Sequence, residues 1–263
     1  MNTLRVYVEG VGVWSPHLAD FAAFGRVLAG ATPTSPGSRP NAAILPANER
    51  RRAPQSVLLA VEVAQQAVAM SGRDAAMLPC VFASADGDQA TTDYMCRTLA
   101  HAPTELSPTR FHNSVHNAAV GYWTIAVGCH AASTAVAAQR ASFGAGLLEA
   151  ASQALGGQQP VLLVCSDTAA AGPLGEVTGC DEAFGCALVL APEPGAATLA
   201  RLDLQLTPLC ADSPLDEPLA TWRENNTSAP ALALLILLTR AAGRCQLAAA
   251  TALGLQIDME RVA

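Results

Sequence analysis

Apolar and polar residues alternate across residues 4–11, a β-rich stretch that breaks at Gly10, Gly12 and Ser15-Pro16, so a first strand leaving through a turn is predicted. Residues 18–29 carry apolar positions at helical spacing and stop at Gly30; residues 32–46, rich in Pro, Ser, Gly and Asn, read as a surface loop. Pro54 suits a helix start, and residues 57–70 follow with a broad apolar face ending at Ser71-Gly72. A buried strand is predicted at 78–84, a break at Asp86-Gly87-Asp88 and a helix at 90–99. Residues 115–127 predict a helix ended by Gly128, then a short strand at 134–137. An Ala- and Gly-rich helix at 141–154, ended by Gly156-Gly157, precedes a buried strand at 159–165. Further strands are predicted at 184–190 and 199–206, then a polar loop at 212–227, a helix at 229–242 and one or two strands within 246–259. Strands alternating with helices predict an α/β layered fold. The helix–strand–strand order of 141–190 is echoed at 229–259, a faint long-range repeat.

The 263 residues suit one large α/β domain or two small ones. Hydrophobic residues make up 51% and charged residues 14%, which supports a large core and argues against disorder. Aromatics are only 5%, so helices are expected to pack closely on a sheet. The net charge of −7, with Arg50-Arg51-Arg52 as the only basic run, argues against nucleic acid and membrane partners. That run reads as a solvated helix start, and it is the one candidate patch for an acidic protein partner. The N-terminus shows no secretory pattern and residues 229–238 are too short to span a bilayer, so a cytoplasmic protein is expected. Cysteines 80, 96, 129, 165, 180, 186, 210 and 245 lie mostly in apolar runs without CxxC spacing, which predicts small buried hydrophobes rather than disulfides or metal ligands.

Candidate chemistry gathers in Phe111-His112-Asn113-Ser114-Val115-His116-Asn117, the segment to Gly128, and residues 133–146. This arrangement resembles the core of a β-ketoacyl synthase. Val11-Gly12-Val13-Trp14-Ser15-Pro16 matches that family's first strand and turn, residues 83–87 its strand into a Gly-rich turn, and Gly185-Cys186-Ala187-Leu188-Val189-Leu190 a later strand. The resemblance implies a thiolase-like layered fold with mixed sheets and helices buried between them. It also implies two parts within one compact domain: residues 1–195 as the ketosynthase-like N-terminal half, and 196–263 as a truncated C-terminal half.

The departures carry the functional expectation. Where the family places its nucleophilic cysteine, at a strand-to-helix elbow, this chain reads Ala138-Gln139-Arg140-Ala141-Ser142. An ungapped count from Gly128 sets Arg140 in the cysteine position with Gln139 beside it, and a one-residue slip would exchange them. Neither residue can supply the thiolate that an acyl-enzyme condensation needs. Ala183-Phe184 fills the slot of the family's Glu-Gly pair, and Asn225-Asn226-Thr227-Ser228-Ala229-Pro230 stands where a Gly-His pair is expected. No histidine follows His130, so all three members of the family's Cys-His-His set are missing and no catalytic residue is assigned.

The resemblance therefore implies a non-catalytic subunit similar to chain-length factors, and in its short form to the ketosynthase partner of aryl polyene pathways. Such a subunit would pair with an active ketosynthase and meet an acyl carrier protein bearing phosphopantetheine-linked chains, with no cofactor of its own. Thr134, Ala135, Val136 and Ala137 would dock by extending a sheet across the dimer. Gln139, Arg140 and Ser142 would form a degenerate elbow, and Phe111, His112, Asn113, His116 and Asn117 a tunnel wall held by buried hydrogen bonds and helix caps. Arg140 has two readings: a donor to a thioester or phosphate, or a filler of the dead site paired with a carboxylate. His112 and His116 are four apart, as metal ligands on a helix can be, but no third ligand is placed and no metal is expected. Two other readings stay open: a small acyltransferase or thioesterase using Cys129, Cys165 or Ser142, and a homodimeric acyl-binding module.

Overall fold

An eleven-residue strand, β1 (Leu4–Trp14), organises the chain. Its glycines explain how. A Cβ on Gly10 would lie 2.0 Å from the Ala67 carbonyl oxygen, and one on Gly12 2.0 Å from that of Val63. Both carbonyls belong to a later helix, which therefore lies directly on the strand. The computed structural model describes residues 3–209 and 211–262; Cys210 lies outside the described residues.

After β1 come α1 (Phe21–Leu28), α2 (Ala47–Arg52) and α3 (Gln55–Ser71), the helix that covers β1. Then follow β2 (Cys80–Ala83), α4 (Gln89–His101), α5 (Pro108–His112), α6 (Ala118–Val127), β3 (Ser133–Val136) and α7 (Ser142–Gly157). Next are β4 (Val161–Asp167), α8 (Gly175–Thr178), β5 (Phe184–Ala191), β6 (Ala200–Pro208), α9 (Leu219–Glu224), α10 (Leu232–Leu238), β7 (Ala242–Ala248) and β8 (Leu253–Arg261).

The strands form one mixed eight-stranded sheet in the order β3-β2-β4-β5-β1-β6-β8-β7. β2 is parallel to β3 and β4; the remaining pairs are antiparallel. β1 joins the two parts, pairing with β6 over Leu4–Val8 and with β5 over Tyr7–Trp14, with a register shift between Val8 and Gly10. On one face α3 and α6 bury Leu58, Val61 and Trp123 against Leu162 and Val189. On the other, α7 and α10 bury Phe143, Leu147, Leu232 and Leu235 together with Val6, Leu202 and Ile257. Each such side chain removed from water contributes about 1.5–3 kcal/mol. α7 is squeezed between the two parts of the sheet: a Cβ on Gly144 would meet the Ala248 carbonyl oxygen at 2.1 Å, and one on Gly146 would meet Ala83 and Leu163 at 3.1 Å. The far face of β6–β8–β7 is polar, with Arg201–Glu260 and Arg244–Asp258 paired at 2.8 and 2.6 Å. The layers thus run helix, sheet, helix, sheet. The predicted echo is visible as α7–β4–β5 and α10–β7–β8, each a helix followed by an antiparallel strand pair.

Several boundaries move for identifiable reasons. α6 starts only at Ala118, because Asn113 ends α5 and residues 113–117 turn between the two helices. Gly156 and Gly157 stay helical and Gln158, at φ 50°, caps α7 instead. The predicted polar loop contains α9, and the helix expected at 229–242 ends at Leu238 so that Ala242 can open β7. Arg50, Arg51 and Arg52 end α2 rather than start a helix, so their charges face that helix's negative pole. Cys96 is exposed, unlike the other described cysteines. Among the described residues no helix is long and apolar enough to cross a membrane.

Gly12→Ala is expected to lower the chemical-denaturation stability by about 3 kcal/mol or more, because backbone rather than a flexible side chain blocks the new methyl. Gly25→Ala, in the exposed helix α1 with nothing within 4 Å of the new atom, is expected to raise it by about 0.5–1 kcal/mol.

Candidate functional site

β3 leaves the sheet at Val136 and the chain turns sharply into α7. Gln139 sits at the apex with φ 51°, in the left-handed region that costs an ordinary residue about 1 kcal/mol. Ser142 braces the corner: its buried hydroxyl donates to the Gln139 carbonyl at 2.6 Å and accepts from the Ala138 N–H at 3.0 Å. A strand-to-helix elbow therefore stands where it was expected, with Gln139 rather than Arg140 at its apex. Among the described residues Arg140 pairs with no carboxylate, which goes against the second of its two readings, the filler. Its guanidinium donates to the carbonyls of Arg223 (2.8 Å) and Glu224 (3.4 Å), satisfying the open end of α9.

The C-terminal ends of β2 and β4 meet beside this elbow in a buried polar network. The Asp167 carboxylate, 2% exposed, accepts from Ser84 Oγ at 2.6 Å, the Ala85 N–H at 3.0 Å, the Asp86 N–H at 3.3 Å and Ser228 Oγ at 2.5 Å. Asn226 Nδ2 donates to the carbonyls of Asp167 (2.9 Å) and Glu182 (2.7 Å), and Asn226 Oδ1 accepts from the Ser228 N–H at 2.8 Å. Burial, then the charge of Asp167, pushes the Asp86 carboxyl above its ordinary range. Asn226 thus spends its amide on the scaffold. The sequence set residues 225–230 where a Gly-His pair is expected but gave no role to Asp167; the convergence of Asp167 with Ser84 and Asn226 had no local signal, since those partners lie 83 and 59 residues away.

Four of the five predicted wall residues divide between two cavities, and Phe111 lines neither. Asn113 is buried and accepts from Tyr122 Oη at 3.2 Å, and the His116 ring lies 3.1 Å from the Ser84 carbonyl oxygen. Both line a hollow of about 30 Å³ with Ser56, Asp88 and Ser166. His112 and Asn117 instead line a larger groove of about 870 Å³ with Leu45, Arg52, Tyr122 and Ile125. Phe111 is 58% exposed, and Asn117 makes no side-chain cap to α6, so the expected single wall held by caps does not form. His112 closes α5 while His116 lies in the following turn, which removes the helical spacing of a metal pair. Among the described residues no three His, Cys, Asp or Glu side chains are placed to hold a metal ion.

The candidate nucleophiles are each engaged in hydrogen bonds within the fold. Burial drives the Cys165 thiol well above its ordinary value, and it donates to Ser228 Oγ at 3.3 Å. Cys129 is buried and donates to the Leu78 carbonyl at 3.3 Å, at the opposite end of β2 from the elbow. Ser142 is committed to the two backbone groups of the corner. Burial pushes Cys80 and Cys245 up to about 12, where the thiolate is negligible near neutral pH.

A family model for the β-ketoacyl synthase N-terminal domain matches residues 29–208. No curated protein matches the chain by sequence. Among solved structures the chain is similar to the complex of a ketosynthase with its chain length factor from Xenorhabdus doucetiae, with 22% identity and TM-score 0.70 over 98% of this chain and 100% of that one. It is also similar to a type II polyketide synthase acyl-carrier protein in complex with its ketosynthase bound to the hexaketide (13%, TM-score 0.72, 98% and 99% covered). A third likeness is to the ishigamide ketosynthase/chain length factor (18%, TM-score 0.62, 77% and 67% covered). These likenesses establish the fold, the thiolase-like layering of ketosynthases.

Incubation with an acyl-thioester is expected to leave the intact mass unchanged; a stoichiometric acyl adduct on Cys129, Cys165 or Ser142 would overturn the structural reading of those groups. Gln139→Gly is expected to raise thermal stability by about 1 kcal/mol, because glycine relieves the left-handed apex.

Proposed function

From a chain that belongs to the β-ketoacyl synthase family, we propose a partner subunit of an active ketosynthase that shapes an acyl tunnel without performing condensation itself. The observation that carries this reading is the elbow: its corner is intact, yet its apex residue, Gln139, bears no nucleophile. The expected loss of both histidines agrees with it: the segment 225–230, where the resemblance expects a Gly-His pair, carries asparagines, and its Asn226 hydrogen-bonds to the scaffold.

Docking is read from the sheet edge. The Cys80 and Ser84 N–H groups of the β2 side donate to the carbonyls of Ala132 and Val136, so even-numbered residues of β3 face β2. Ser133, Ala135 and Ala137 then direct their backbone groups outward, to an edge that no strand pairs among the described residues. The segment that precedes β3 carries exposed apolar side chains, Ile125 84% and Val115 53% exposed. An open strand edge on a chain with exposed apolar side chains suits sheet extension across a dimer. We read Thr134, Ala135, Val136 and Ala137 as the interface strand, Gln139, Arg140 and Ser142 as the degenerate elbow, and residues 196–263 as the shortened second half of one compact domain. Asn113 and His116 would support the strand ends, while His112 and Asn117 would contribute to a tunnel or interface groove.

The similar complexes contain a ketosynthase with its chain length factor, and a ketosynthase with an acyl-carrier protein. By analogy the partners are a ketosynthase and an acyl carrier protein bearing phosphopantetheine-linked chains, in cytoplasmic aryl polyene synthesis.

Co-expression with the ketosynthase encoded beside it is expected to give a 1:1 complex on size exclusion. Ala135→Pro, which removes an outward N–H, or Ile125→Glu should abolish co-elution while leaving the circular dichroism of the chain unchanged. A homodimer that ignores the ketosynthase would favour the acyl-binding module instead, and unaltered product length without this chain would sink the proposal.

A further inference from the structure

Asp167 is a buried carboxylate whose described partners are all neutral. A carboxylate kept from water without a cation holds its place only where donors saturate its oxygens. The turn after β2 supplies them: Ala85 and Asp86 aim their N–H groups at one point, and Ser84 Oγ joins them at 2.6 Å. The Gly87 N–H holds that hydroxyl in turn, at 2.9 Å. Ser228 Oγ closes the set from the far end of the chain. Successive N–H groups curled in a turn form a concavity suited to anions. Here the chain fills the concavity itself.

We propose that Asp167 is a built-in ligand: its carboxylate occupies an anion cradle made by Ser84, Ala85, Asp86 and Ser228 and so pins residues 225–228 across the ends of β2 and β4. Two further straps support the lock. Asn226 bridges the Asp167 and Glu182 carbonyls, and the Asp181 N–H donates to the Asn225 carbonyl at 2.8 Å. Two thiols lie against the pinned segment, Cys165 on Ser228 at 3.3 Å and Cys180 against Thr227 Oγ1 at 3.1 Å. An acyl chain entering at the strand ends would have to break this network and strand several buried donors. It is excluded, and the growing chain stays on the ketosynthase side. That last consequence rests on the partner-subunit reading; the lock itself is a property of this chain alone.

The test is native-state alkylation with N-ethylmaleimide, mapped cysteine by cysteine by mass spectrometry, on the full chain and on any ketosynthase complex it forms. In the unaltered protein Cys165 and Cys180 stay protected. In Asp167→Gly both are expected to react roughly tenfold faster or more, while Cys186 and Cys245 stay protected. Sodium formate, against sodium chloride at equal ionic strength, is expected to restore protection by refilling the cradle. Should Asp167→Gly fail to fold, Asn226→Ala and Ser228→Ala each remove one strap and must raise labelling at Cys165 and Cys180 selectively. Unchanged labelling in the folded variants overturns the lock, and so does equal exposure of Cys186 and Cys245, which would make the network general stabilisation. Failure to co-elute with a ketosynthase counts against the partner reading alone, because the labelling result on the isolated chain stands without it.

Discussion

Everything in this molecule leans on the close approach of two backbones, α3 against β1. Gly10 and Gly12 leave no side chain between them, so the helix axis lies nearer the sheet than any larger residue would permit. The strand beneath is shared by two parts of the sheet, with β5 along one edge and β6 along the other. The two pairings overlap at Tyr7 and Val8, the β5 pairing then shifts register before Gly10, and α7 lies in the space between the two parts. The same economy of side chains recurs at Gly144 and Gly146, which is why α7 reads Ser-Phe-Gly-Ala-Gly at its start. Low aromatic content and abundant alanine are the compositional trace of this packing.

Because α7 is clamped from both sides, the corner feeding it is held as well. Gln139 keeps a left-handed backbone although glycine would be at ease there, and Ser142 and Arg140 hold the corner from within and without. At its apex this corner carries an amide side chain, that of Gln139. Around it, polar residues hydrogen-bond to the scaffold. Asn226 and Ser228 hydrogen-bond to β4, Asp167 accepts from the turn after β2, and burial holds the Cys165 thiol well above its ordinary range.

Much of the fold was legible in the chain. The alternation over residues 4–11, the Pro54 start and Gly72 stop of α3, the Gly128 stop of α6 and the order of strands and helices are local signals, set by backbone sterics and side-chain period. The elbow was legible to within one residue. Less legible were ends decided by competition: Gly156-Gly157 remains helical because the turn of α7 continues to Gln158, and Ala242 joins β7 because β8 offers it a partner.

The amino-acid order by itself determined the element sequence, the lack of any histidine after His130, and the glycines that permit close packing, since each depends on residue identity or on neighbours a few positions away. Only the tertiary structure decided that Gln139 takes the apex, that Arg140 serves the end of α9, that the predicted wall splits between two cavities, and that Asp167 meets Ser84 and Ser228. Those outcomes join groups as much as 83 or 84 residues apart, and no periodicity along a chain encodes which distant donors will converge on a buried charge.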